Sequence, residues 1–348
     1  MPYPAAKSHI RRTGIVLKEW IRYGVAFGFV LMMFAVSQAT GEREVIFPEM
    51  LALVLGALCM ERQPWRASRP LMVLLMTSSA LVGVGVVRYV PVPLLGQALI
   101  GFGFVAICLI LADCSLAPMI SACILPMYLG TETMVYPLAV VIMMLALVLI
   151  QWALERTGLR PAPQRFSWRK PTRGMFCAWG VTFAGFALLE TAALTLGAKY
   201  LMIPPLIVTW VEGCFHDWSG KRLRILATVV GSACIGIAAR LLLCGMLGWP
   251  VVACGAIAAA LLLGLQALLQ AFIPPACAIG LLPFLLPQEG MGWYPVLTAA
   301  GCGVILLLTR FVSPVVAGRL AGNDRQGNTA PAEAASRCSG GQEARSDR

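Results

Sequence analysis

Histidine is almost missing from this chain. Of 348 residues only His9 and His216 are histidines, so a clustered metal site and a His-based triad both lack their ligands. Charge is scarce as well: 12% of residues are Asp, Glu, Lys or Arg, against about 25% in a soluble globular chain. No C-x-x-C pair occurs among the cysteines. Cys108, Cys123, Cys234, Cys254 and Cys302 lie inside apolar runs and read as small buried hydrophobes, not as a disulfide or metal framework. The stretch GCFHDWSGK (213–221) ends in Gly-Lys, but without the spacing of a phosphate-binding loop and without a following Ser or Thr. No cleavable signal peptide is evident, because Lys7, Arg11, Arg12 and Lys18 precede a full-length apolar span, the pattern of a retained first helix. No cofactor, no metal and no enzyme is expected, with a membrane enzyme built on carboxylates alone as the remaining catalytic alternative.

What is abundant is apolar sequence. Fifty-nine per cent of the chain is hydrophobic, and its mean hydropathy is +0.80. The apolar runs are long enough for a bilayer, which takes roughly 20 helical residues to cross. The fold class is therefore all-α: a polytopic protein with the lipid bilayer as its partner. Six segments fill the first half, near 21–39, 47–60, 71–87, 93–112, 116–130 and 135–154. Six more lie near 175–197, 201–215, 226–247, 250–272, 273–287 and 292–312. Two segments in each half are short and have proline at or near their start, so they either cross as short helices or re-enter shielded by protein.

A net charge of +11 suggests nucleic acid until the charges are located. They sit in short loops, where they set topology, and no nucleic acid is expected. If every segment crosses, the N-terminus, loop 61–70, loop 155–174 and the tail share one face, and Arg62, Arg66, Arg69, Arg156, Arg160, Arg165, Arg169, Lys170 and Arg173 lie there. Twelve crossings with both termini cytoplasmic, in a cell membrane, is the expected topology. Eight crossings, with all four short segments re-entrant, would place Arg62, Arg66 and Arg69 on the other side. Residues 1–154 form a first membrane region and 155–174 a basic, proline-containing linker. Residues 175–313 form a second membrane region, and 314–348 a tail expected to be disordered and cytoplasmic.

The halves repeat each other. LPMYLGTETMVYP (125–137) returns as LPFLLPQEGMGWYP (282–295), with Pro126 on Pro283, Glu132 on Glu289, Met134 on Met291 and, one inserted residue later, Tyr136-Pro137 on Tyr294-Pro295. Pro118 falls on Pro275 at the same offset. Phe47-Pro48 falls on Ile203-Pro204, Glu61 on Asp217 and Arg66 on Arg222. With a small gap, FAVSQAT (34–40) matches FALLETA (186–192), which sets Gln38 against Glu190. An even number of segments per half makes these two six-segment repeats parallel, not inverted.

LGALCMERQPWRASRPLMVLLMTSSALVGV (55–84) and FIPPACAIGLLPFLLP (272–287) resemble the HPP family of integral membrane proteins. Pro274, Pro275 and Ala276 stand where that family has Pro-Pro-Ala. Its histidine position is Ile273 here and Ala117 in the first copy. The resemblance implies a compact helical membrane domain, and nitrite transport is proposed for some relatives.

Ionisable residues inside apolar spans carry the functional reading. A charge near the bilayer centre costs on the order of 2.5–3.5 kcal/mol on insertion scales, so a chain keeps one only where it faces protein or water. Glu190 and Arg240 read either as substrate-pathway or coupling residues or as a structural buried pair. Glu132 and Glu289 read as a mouth or as solvated loop carboxylates, and Glu61 and Asp217 as partners of adjacent arginines. Pro118 and Pro275 read as kinks, or as the starts of half-helices whose positive ends meet and suit an anion. The function expected is a permease or channel-like transporter of a small solute, with a slight preference for an anion. The alternative is a non-transporting scaffold or accessory subunit, and either reading allows a homo-oligomer or a partner subunit.

Overall fold

The computed structural model describes the backbone of residues 5–60, 63–161, 166–287 and 291–339, and side chains between 17 and 321. Among the described residues the regular structure is entirely helical. In chain order the helices are α1 (Ala5–Thr40), α2 (Glu49–Val54, continued by a π-helical turn Leu55–Cys59), α3 (Arg69–Tyr89), α4 (Leu94–Leu111), α5 (Pro118–Leu129) and α6 (Val135–Arg156). They are followed by α7 (Arg173–Thr195), α8 (Pro204–Phe215), α9 (Arg222–Ala238, continued by a wider π-helical stretch Ala239–Met246), α10 (Val251–Leu268), α11 (Pro274–Leu281, continued by a 3-10 turn Leu282–Phe284) and α12 (Tyr294–Ser339).

Eight of these, α1, α3, α4, α6, α7, α9, α10 and α12, are long and apolar enough to cross a bilayer. No more than 44% of the most apolar window of any of them is buried against the rest of the protein. The remainder presents Leu74, Leu81, Ile100, Ile107, Leu138, Ile142 and Leu149 outward. An apolar surface that continuous requires lipid, not water. The chain is a multi-pass membrane protein.

The four short helices are built differently. The segments expected at 47–60, 116–130, 201–215 and 273–287 are helical over 49–59, 118–129, 204–215 and 274–284. Eleven or twelve residues rise only about 16–18 Å, roughly half of a ~30 Å hydrocarbon core. Each begins with proline at or just before its first turn, where a missing N–H costs nothing. Three follow a buried isoleucine in extended conformation: Ile46, Ile203 and Ile273. Irregular backbone at membrane depth survives only when enclosed by protein, and these helices are enclosed. Every residue of α2 and of α11 is buried. They pack on one another as a closed group, α2 against α11, α11 against α8, α8 against α5 and α5 against α2.

Hydrogen bonds sort the helix ends into two sets. At what we term the near end, Lys18 Nζ donates to Gly158 O (2.9 Å), Arg69 pairs with Glu155 (3.2 Å) and Trp168 Nε1 donates to Leu111 O (2.9 Å). At the far end, Val252 N donates to Gln38 Oε1 (3.1 Å), and the Thr133 hydroxyl meets the Glu44 carboxylate. The chain therefore alternates between the two ends through all twelve helices, the short ones included, with extended residues completing each short passage. The segment from 314 onward is the one expected as a disordered tail. There α12 runs on as a helix past residue 314 to Ser339, although Gly318, Gly322, Gly327 and Pro331 lower the helix propensity of that stretch.

Candidate functional site

Two carboxyls lie deep among these helices. Glu49 is the first residue of α2, only 2% exposed, and its Oε1 accepts a hydrogen bond from the Ser121 hydroxyl in the first turn of α5. Its Oε2 has no partner. Glu190 is fully buried in α7, packed beside the end of α5. The Tyr128 hydroxyl sits 2.6 Å from Glu190 Oε1 and 2.8 Å from the carbonyl of Met202 in the turn before α8. Glu190 Oε2 is likewise unpartnered.

One hydroxyl hydrogen cannot serve two acceptors. The Met202 carbonyl can only accept; where Tyr128 donates to it, the 2.6 Å contact requires a proton on Glu190, whereas an ionised Glu190 would take the Tyr128 hydrogen itself. A protonated carboxyl also fits a pocket in which, among the described residues, no cation pairs with Glu190.

The other expected site residues are scattered. Arg240 is half-buried in the π-helical end of α9 and makes no ion pair with Glu190 among the described residues, so the buried-pair alternative is not realised. Gln38 is exposed, and it caps α10 through Val252 N. Glu132 is exposed in the far-end loop after α5, and Glu289 lies outside the described residues, as does Glu61. Pro118 and Pro275 are buried in the first turns of α5 and α11. Their helix starts are not open to a ligand. Met119 N and Ile120 N donate to Leu116 O and Ala117 O, Ala276 N donates to Ile273 O, and Ile273 N donates to Gln266 Oε1. The amides that an anion would need are already bonded.

Sequence reasoning missed the partners. Tyr128 and Ser121 carry no charge and sit in apolar runs, so hydropathy gave no signal for them. Glu49 stands near the start of the segment expected at 47–60, where a carboxylate gives no more signal than an end-of-span charge. A second cluster, at the near end, holds Glu155: it accepts from Arg160 (2.6 Å), Arg69 (3.2 Å) and Gln151 Nε2 (3.1 Å). Burial pulls the Arg160 guanidinium below its ordinary value, while Glu155 acts in the opposite direction. The chain has no significant match to a family model, a curated protein or a solved structure.

Proposed function

We propose that this protein is a permease for a small solute, built from two parallel six-helix repeats, with Glu190 and Glu49 as proton-carrying residues at its core. The repeats are supported by contacts that recur. Tyr136 and Tyr294 each start a long helix and donate to a carbonyl of the preceding short helix, Ala122 O (3.1 Å) and Ile279 O (2.7 Å). Gly83 and Gly236 each press against a short-helix carbonyl, of Cys123 and of Gly280. Asp113 and Gln270, each two residues beyond the end of α4 or α10, both take a left-handed conformation that non-glycine residues rarely adopt. In the closed group of short helices α5 lies diagonally from α11 and α2 from α8, the relation of a two-fold axis along the bundle.

The observation carrying the reading is the pair of buried carboxyls, each with an oxygen lacking a partner. Such groups are expensive inside a membrane and mark ion or proton routes. Preference for an anion is not part of this reading, because the helix starts that suggested it are closed. The near end, with Arg66, Arg69, Arg169 and Arg222, is the cytoplasmic face on the positive-inside rule, and among the described residues α1 begins and α12 ends toward it. The parts of the chain that resemble the HPP family are residues 55–84, from the end of α2 through most of α3, and residues 272–287, which hold the proline-started α11.

Full-length protein in proteoliposomes carrying an internal pH dye tests this. Sodium nitrite, ammonium chloride and glycerol serve as an anion, a cation and a neutral probe. Wild type is expected to move at least one of them with a linked pH change, and Glu190→Gln to abolish the pH change. A second reading, a non-transporting scaffold, is favoured by the complete burial of α2 and α11. Flux of all three probes equal to empty liposomes would establish it instead.

A further inference from the structure

The two halves differ at the near end in a way that leaves a site. In the first half, Glu155 lies nineteen residues after Tyr136 and is gripped by Arg69, the first residue of α3. In the second half, the same count from Tyr294 reaches Ser313, and the first residue of α9 is Arg222. By helix start, and by the match of Gly83 with Gly236, Arg222 stands at the Arg69 position and not at the Arg66 position expected from the sequence, so the arginine is kept and the carboxylate is not. What stands there is a cavity of about 470 Å³ between the α8–α9 turn and α12, lined by Arg222, Arg310, His216, Ser219, Thr309 and Ser313, with Asp217 at its edge. Arg222 Nε is buried and has no hydrogen-bond partner. Among the described residues neither Arg222 nor Arg310 has a carboxylate at ion-pair distance.

Asp217 does not fill the gap. Its Oδ1 accepts from the Ser219 hydroxyl (2.5 Å) and from Ser219 N (2.8 Å), which folds it back on its own turn. Those two bonds, the hydroxyl first, hold its carboxyl below the usual range. His216 Nδ1 lies 3.0 Å from Glu212 O, an acceptor only, so Nδ1 carries the hydrogen and Nε2 is left free. Two guanidiniums and the Ser313 hydroxyl supply more donors than a single carboxylate accepts, in a geometry suited to tetrahedral oxygens.

We propose that this cavity binds a phosphate group, presented either by a soluble phosphate or by the headgroup of an anionic phospholipid at the same face. The proposal is independent of the permease reading, since it requires no flux. The test uses the full-length chain in nanodiscs and reads Tm at constant ionic strength. One arm adds inorganic phosphate to phosphatidylcholine discs, with chloride as control, and the other replaces part of the phosphatidylcholine by phosphatidic acid. A ligand that binds only the folded state raises Tm.

Wild type is expected to shift upward in at least one arm, the first identifying a soluble ligand and the second a headgroup. Ser313→Glu, which restores the first half's carboxylate, is expected to lose the shift while its ligand-free Tm equals or exceeds that of wild type. Arg310→Gln changes an exposed residue and is expected to fold normally and lose most of the shift. No shift of wild type in either arm overturns the proposal, and so does a full shift retained by Arg310→Gln or by a folded Ser313→Glu.

Discussion

Removing the Tyr128 hydroxyl tests the hydrogen count at Glu190 directly. Tyr128→Phe keeps the ring, and hence the packing, but breaks two contacts at once, the 2.6 Å contact to Glu190 and the 2.8 Å bond to Met202 O. In water-soluble proteins each buried group left unpaired costs about 1–3 kcal/mol. Inside a bilayer the unfolded reference also finds partners, and single hydrogen bonds average about 0.6 kcal/mol with values up to about 1.7. Two lost bonds therefore predict a destabilisation of about 1–3 kcal/mol. Glu190→Gln should cost less than Tyr128→Phe, because an amide N–H replaces the carboxyl proton and preserves the order of donors. Combining the two substitutions should cost less than their sum, because they share one bond. The assay is equilibrium unfolding in mixed micelles followed by tryptophan fluorescence. Infrared difference spectra of wild type against Glu190→Gln should also show loss of a protonated-carboxyl carbonyl band. A Tyr128→Phe variant as stable as wild type, or a difference spectrum showing only carboxylate bands, refutes the reasoning.

Gly236→Ala and Gly83→Ala should each destabilise by about 1–3 kcal/mol or more, since the added Cβ would lie 2.1 Å from Gly280 O and 2.3 Å from Cys123 O, backbone atoms that cannot rotate away. Thermal melts of the two variants check this, and Gly85→Ala, with open space around it, is the matched control expected to melt like wild type. Glu155→Ala leaves Arg160, 5% exposed, without its carboxylate and should cost about 3–5 kcal/mol by the same unfolding assay. Single cysteines at Ser167 and Thr133 on a Cys-free background should label from opposite sides of the membrane, Ser167 from the cytoplasm; labelling of both from one side would contradict the alternation of helix ends. Glu132→Lys, in an exposed far-end loop, should leave the unfolding free energy within about 0.5 kcal/mol of wild type while altering uptake of charged probes at low salt.

Much of the architecture was legible in the chain because membrane insertion reads composition. Apolar length set the eight long helices, and Pro48, Pro118, Pro204 and Pro274 mark where the four short ones start, since proline fits the first turn of a helix at little cost, although Pro126 lies inside α5. The charged loops sorted themselves to one end for the same reason. What the sequence could not settle is which polar groups meet. Glu190 and Arg240 are both ionisable residues in apolar runs, and only packing separates them, taking Glu190 to Tyr128 and leaving Arg240 half-buried near a helix end. The closed start of α11 is partly a tertiary matter, because Ile273 N is taken by Gln266 Oε1 of α10, whereas the other first amides of α5 and α11 are taken by carbonyls only three residues back. Hydropathy is a sum over single residues, whereas a buried hydrogen bond is a property of pairs far apart in the chain. Tyr128 and Glu190 were therefore joined by the fold alone.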